Sequence, residues 1–215
     1  SQEALAEISK DMTSLAYRQE ILAEDIDEAP GALWTRANVE AGRVLRAPDC
    51  ELVVVGVDPS ATSTGDEAGI VTAGRRADHL YVLDDDTLQG SPEAWATAAV
   101  TPYYRHIADC IVAESNNGGE MVASVIRQVD ARVPVRLVHA SRGKQTRAQP
   151  VAILYEQTQR RAHHVGSFPA MEDELCMWVP GDPSPNRLDA LVWCGTYLMV
   201  DATGPVTSGA NPFYS

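Results

Sequence analysis

The apolar positions of this chain change their period along its length. From Leu52 to Val57 they run almost unbroken (LVVVGV), stop at Asp58 and Pro59, and resume at Gly69, Ile70 and Val71. β-branched residues without polar alternation predict a strand buried on both faces. Gly69–Gly74 and His79–Asp84 read as two further strands, and so short a reversal between them predicts antiparallel neighbours, because a parallel pair needs a crossover. Ser91-Pro92-Glu93 opens a helix to His106, with Ser91 as N-cap and Pro92 at the first helical position. Beyond it strand and helix alternate, with a strand over Asp109–Glu114, a helix over Gly118–Val129 and a strand over Val133–His139. A polar loop over Ala140–Gln149 leads to a helix over Pro150–Arg161. An edge strand follows at Val165–Phe168, then helical turns at Met171–Val179 and a strongly apolar helix at Arg187–Val200. The expected fold class is α/β: a mixed sheet, antiparallel in its first three strands and parallel in its later βα units, flanked by helices.

The two ends differ from this body. Residues 1–48 hold an acidic, helix-capable stretch that stops at Pro30-Gly31 and a shorter piece closed by Pro48, which reads as a linker or a small helical subdomain. Residues 201–215 are rich in Gly, Pro and Ser and read as a loosely packed tail. The domain proper is expected over 49–200. The chain starts at Ser1 without Met, as a fragment of a longer protein would.

Charge narrows the choice of function. The 215 residues carry 17 Lys and Arg against 30 Asp and Glu, a formal charge of -13, which argues against a non-specific nucleic-acid coat. The sign reverses locally: Arg136, Arg142, Lys144, Arg147, Arg160 and Arg161 accompany the single acid Glu156 over 136–161. The four cysteines, Cys50, Cys110, Cys176 and Cys194, have no zinc-like spacing, and Cys110 and Cys194 read as core thiols of a reducing compartment. No apolar run is long enough to span a membrane, and no GxxxxGK[ST] nucleotide loop is present.

Three acids border apolar elements: Asp58 after the first strand, Glu114 at the end of the fourth, and Asp189 in the first turn of the last helix. Taken singly, each has a bland reading, as a turn-forming Asx residue, a strand-end acid paired with Arg or Lys, and an acid favoured by the helix dipole. Taken together they imply more, because the first and fourth strands can lie side by side and bring their terminal carboxylates together. Such a cluster is costly unless a cation neutralises it, and hard oxygen donors suit Mg²⁺ or Mn²⁺. Two ions about 4 Å apart would serve phosphodiester hydrolysis.

Longer motifs carry a resemblance. VVVGVDPSATSTGDEAGIVTAG at Val53–Gly74, IVAESNNGG at Ile111–Gly119, VRLVHASRGKQTRAQPVAILYEQ at Val135–Gln157, HHVGSFPAMEDEL at His163–Leu175 and PSPNRLDALVW at Pro183–Trp193 stand in an order that resembles the nuclease domain of tailed-phage terminase large subunits. That DNA-packaging family has a ribonuclease H/RuvC-like fold. The opening, YRQEILAED and GALWTRANVEAGRV, is similar to the family's bridge from a packaging ATPase, so 1–48 would be a lead-in from an upstream ATPase domain.

By that resemblance Asp58, Glu114 and Asp189 are the metal-ligating, catalytic carboxylates, with Asp66 as a further acid at the metal site. Asn116 and Asn117 would assist Glu114. Lys144, Arg147 and Arg142 would contact DNA phosphates, whereas Arg160, Arg161 and the acids Glu172, Asp173 and Glu174 read as solvated faces. The implied activity is a divalent-metal-dependent endonuclease that cuts concatemeric double-stranded viral DNA at the start and end of packaging. The implied cofactors are two Mg²⁺ or Mn²⁺ ions. The implied partners are the terminase small subunit and the procapsid portal, in the bacterial host cytoplasm, with the isolated domain a monomer. Two alternatives remain open at this point. One is a Holliday-junction resolvase or transposase-like nuclease with the same acids; the other is a non-catalytic DNA-clamping or portal-docking module.

Overall fold

The computed structural model describes residues 28–59, 67–114, 119–138 and 144–200. The apolar run forms β1 (Leu52–Asp58), the centre of a seven-stranded sheet with β2 (Glu67–Arg76), β3 (His79–Asp85), the short β4 (Leu88–Gln89), β5 (Cys110–Glu114), β6 (Val135–Val138) and β7 (Ala162–His164). The order is β6-β5-β1-β2-β3-β7, with β4 pairing β2 off that path. β1, β2 and β3 are antiparallel, while β5 runs parallel to β1, β6 to β5 and β7 to β3. The first and fourth predicted strands are thus neighbours, as β1 and β5, with β4 inserted between them in sequence.

Six helices are described: α1 (Arg36–Ala41), α2 (Pro92–Arg105), α3 (Gly119–Val129), α4 (Lys144–Ile153), α5 (Pro169–Met177) and α6 (Asn186–Gly195), the last continued by a π-helical turn over Thr196–Val200. Ser91 caps α2 as expected, its hydroxyl accepting from the Ala94 N–H, with Pro92 in the first turn. None of the described helices is long and apolar enough to cross a membrane.

Side-chain alternation sorts the sheet into two faces. Val55, Val57, Ile70, Ile111 and Ala113 pack with Trp95, Ala96 and Ala99 of α2 and with Val122 and Ile126 of α3. Val54, Val71, Ala73, Cys110 and Val112 pack on the other face, with Ala148 and Val151 of α4, Met171 and Leu175 of α5, and Leu188, Leu191 and Val192 of α6. Burying a run of Val and Ile on both faces is what an unbroken apolar strand requires, and each such side chain contributes about 1.5–3 kcal/mol.

Two elements and one side chain lie elsewhere than the local pattern places them. The helix expected from Pro150 begins at Lys144 and contains Pro150, because Ala148, Val151 and Ala152 form one buried stripe toward α6. The edge strand expected at Val165–Phe168 is Ala162–His164, where the free edge of β3 offers pairing partners from Leu80 to Val82. Glu172 is buried at 2% exposure instead of lying on a solvated face.

The start of the described chain packs into the body. Trp34 and Val39 are fully buried in the face carrying α6, and Trp34 meets Tyr155 edge-on with ring centroids 6.2 Å apart. Arg43 donates to both oxygens of Glu172 at 2.9 Å, and Val44 bridges Val165. Glu172 also accepts from the Phe168 N–H at 3.2 Å and lies 2.9 Å from His164 Nδ1, whose Nε2 is 3.0 Å from the Tyr155 hydroxyl.

Candidate active site

Strand parity decides where the acids face. Asp58 shares the parity of Val54 and Gly56, and Glu114 that of Cys110 and Val112, so both carboxylates belong to the face covered by α6. The parallel register aligns Val57 with Ala113, which sets Asp58 and Glu114 side by side at the strand ends. Asp189 comes from α6 itself, buried at 6% exposure in its first turn.

Two glycines let α6 sit this close. A Cβ on Gly56 would meet the Ala190 carbonyl oxygen and come within 2.6 Å of Cys194 Sγ, and one on Gly69 would meet the Asn186 carbonyl. Gly69 is the register partner of Asp58. The first turn of α6 therefore rests on the backbone beside Asp58, and the three acids occupy one end of one face.

Their partners differ. The Ser184 hydroxyl donates to Asp189 Oδ2. Arg147 Nη1 donates to Glu114 Oε1 at 3.4 Å, and the guanidinium lies over the Trp193 ring, 4.4 Å from its centroid. Beside them Arg187 binds Glu67, Glu174 (2.6 Å) and Asp85 (3.1 Å), tying α6 to β2, β3 and α5. Burial pushes the Glu174 carboxyl up, and Arg187 offsets only part of that.

Among the described residues no three Asp, Glu, His or Cys side chains are set closely enough to hold an ion. The donor set nevertheless fits a hard divalent cation: all three are carboxylates, two are adjacent in register, and Glu114 already takes a positive charge from Arg147. Asp66, Asn116, Asn117 and Arg142 lie outside the described residues, as does the side chain of Lys144, whose backbone starts α4. Arg147 is brought to Glu114, and its side chain is 10% exposed. Sequence reasoning misses Ser184, Arg187 and Trp193. Ser184 and Arg187 flank Asp189 closely enough in the chain to be found from it, whereas nothing local ties Trp193 to Arg147. A separate groove of about 750 Å³, lined by Pro92, Val125 and Val129, lies on the α2–α3 side and holds none of the three acids.

Residues 55–194, more than half of the chain, match the family model described as the terminase RNaseH-like domain. The chain belongs to that family. Solved terminase structures share its fold. The large terminase of a thermophilic bacteriophage superposes with a TM-score of 0.60 at 12% identity, covering 93% of this chain and 53% of that one. The human cytomegalovirus terminase nuclease domain, Mn-soaked and inhibitor-bound, gives 0.59 at 14% identity, covering 79% and 96%. A mutant nuclease domain of the large terminase subunit of bacterial virus Sf6, with manganese and beta-thujaplicinol, gives 0.57 at 16%, covering 76% and 97%. This terminase domain spans about half the length of the thermophilic phage protein. A comparison with curated proteins found no match. At these identities the superpositions establish the ribonuclease H-like fold, and site roles rest on this chain's own residues.

Proposed function

We propose that this terminase domain is a divalent-metal-dependent endonuclease that hydrolyses phosphodiester bonds of double-stranded viral DNA at the initiation and termination of packaging. The observation that carries the reading is the placement of Asp58, Glu114 and Asp189 on one end of the sheet face under α6. Asp58 and Glu114, on adjacent strand ends, would share one cation. Asp189, held by Ser184, would supply the ligand from the helix side, completing a site for two Mg²⁺ or Mn²⁺ ions. Bound there, the ions supply Lewis acidity to the attacking and leaving oxygens of the phosphodiester. The rigid sheet ends and the clamped first turn of α6 fix the carboxylates before substrate arrives, and Lys144, Arg147 and Arg142 meet the strand's phosphates.

The wider setting belongs to the same reading: an upstream packaging ATPase domain, the terminase small subunit, the portal, and action in the host cytoplasm. With a formal charge of -13, the isolated domain is expected to bind DNA weakly and only at low salt. The deciding experiment is plasmid cleavage with Mn²⁺ or Mg²⁺, comparing the wild type with Asp58→Asn. Cutting that needs the metal and disappears in the variant is the expected result. Equal background in both proteins would leave only a clamping or docking module, and a preference for four-way junctions would point to a resolvase.

A further inference from the structure

We infer that Arg147 is the built-in counter-ion of the metal-ligating carboxylate Glu114, so that a divalent cation and the Arg147 guanidinium compete for it and metal entry releases Arg147 toward a DNA phosphate. This rests on the nuclease reading above and assigns one residue a second state within it.

The backbone of Arg147 is fixed. Ala148, Val151 and Ala152 bury the following turn of α4, and Val151 packs so closely on Gly195 of α6 that a Cβ there would come within 2.8 Å of it. The side chain then reaches Trp193, one helical turn after Asp189, and Glu114 at the end of β5. The guanidinium thus sits between Glu114 and the Trp193 ring, its side chain at 10% exposure and that of Glu114 at 14%.

It is held there incompletely. A guanidinium offers five donors, and charge-assisted bonds to carboxylate run at about 2.7–2.9 Å. Arg147 has a 3.4 Å contact to Glu114, and its buried Nε finds no hydrogen-bond partner among the described residues. Stacking on Trp193 holds the guanidinium by its face but satisfies no N–H. A long ion pair with an unmet buried donor is a contact that a better ligand on either side can replace. Divalent cations are the better partner for Glu114, and a phosphate oxygen is the better acceptor for Arg147. Charge points the same way: three carboxylates and one phosphodiester balance two divalent cations without Arg147. The two binding events are therefore linked, each favouring the other through release of the same side chain.

The test is calorimetric titration of Mn²⁺ into the 215-residue chain as wild type, Arg147→Gln, Arg147→Lys and Asp58→Asn. Removing the competing charge should tighten Mn²⁺ binding about 5-fold or more in Arg147→Gln, with Arg147→Lys close to wild type. Should Arg147→Gln fail to fold, the wild type still carries the test through Trp193. Adding Mg²⁺ without DNA should change tryptophan emission in the wild type and not in Trp193→Phe. Mn²⁺ bound by Arg147→Gln no more tightly than by wild type, or Trp193 emission indifferent to Mg²⁺, overturns the inference while the nuclease reading stands. A wild type that binds no Mn²⁺, or binds it as well after Asp58→Asn, overturns both.

Discussion

Gly56 lies in the middle of β1, between Val71 on β2 and Val112 on β5, where a side chain would ordinarily strengthen a strand. Replacing it with alanine therefore sets two effects against each other. Restricting the unfolded chain would stabilise by about 0.4–1 kcal/mol. In the folded protein, the new methyl would fall against the Ala190 carbonyl and within 2.6 Å of Cys194 Sγ. Carbon atoms pack at about 3.5–4 Å, so α6 must retreat by on the order of 1 Å, and overpacking of this kind costs about 1–3 kcal/mol. The second effect wins, leaving Gly56→Ala net destabilised by roughly 1–2 kcal/mol. The helix that moves also carries Asp189, and a displacement of about 1 Å in a positioned group can cost about 100-fold in rate. Urea unfolding should show a lower midpoint at unchanged slope, and Mn²⁺-dependent plasmid cleavage should fall further than stability alone explains. Gly56→Ala/Cys194→Ala removes only the sulfur contact and should stay impaired, because the Ala190 carbonyl is backbone. A Gly56→Ala protein as stable and as active as wild type would refute the claim that close approach of α6 builds the site.

The buried Glu172 knot should govern acid stability. Burial would raise this carboxyl, but hydrogen bonds from His164, Arg43 and the Phe168 N–H outweigh that and hold it well below the ordinary carboxylate range. Its contribution is therefore complete above the unfolded carboxylate pKa of about 4.3 and is lost as pH falls toward the folded value. Glu172→Ala should cost about 1–3 kcal/mol at neutral pH, because the Phe168 N–H and His164 lose their acceptor while Arg43 keeps Glu40 and the Gly166 carbonyl, and should flatten the loss of urea midpoint below about pH 4.5; an unchanged acid limb would refute this. Trp34→Ala should destabilise the whole domain by about 3–5 kcal/mol in a single cooperative transition, because Trp34 is fully buried against Tyr155. A variant with wild-type stability would show instead that residues 28–48 are an independent linker.

How much of this was legible beforehand depended on how local the cause was. A short, unbroken, Val-rich run bounded by Asp58-Pro59 reads as a doubly buried strand, so β1 and the terminal position of Asp58 follow from composition and length. The antiparallel first three strands follow from connection length, and Ser91-Pro92 fixes the start of α2 by its own hydrogen bonding. These features depend on residues within a few positions of one another. Even Asp189 was a candidate on local grounds, being a carboxylate set among Leu188, Ala190 and Leu191.

What the tertiary structure alone decided was everything that depends on a distant surface. Pro150 reads locally as a helix start, but the stripe Ala148, Val151 and Ala152 found α6 to pack against, and the helix formed earlier. Glu172 reads as a solvated acid until Arg43, 129 residues away in the chain, reaches it. That Asp58, Glu114 and Asp189 belong to one face depends on the parallel β1–β5 pairing and on two glycines under α6. The position of Arg147, between a strand end and an indole, was decided the same way. Sequence determines which side chains can do chemistry and which segments must be buried; which of them share a face is set by packing between elements, because contact free energy between distant segments leaves no trace in local periodicity.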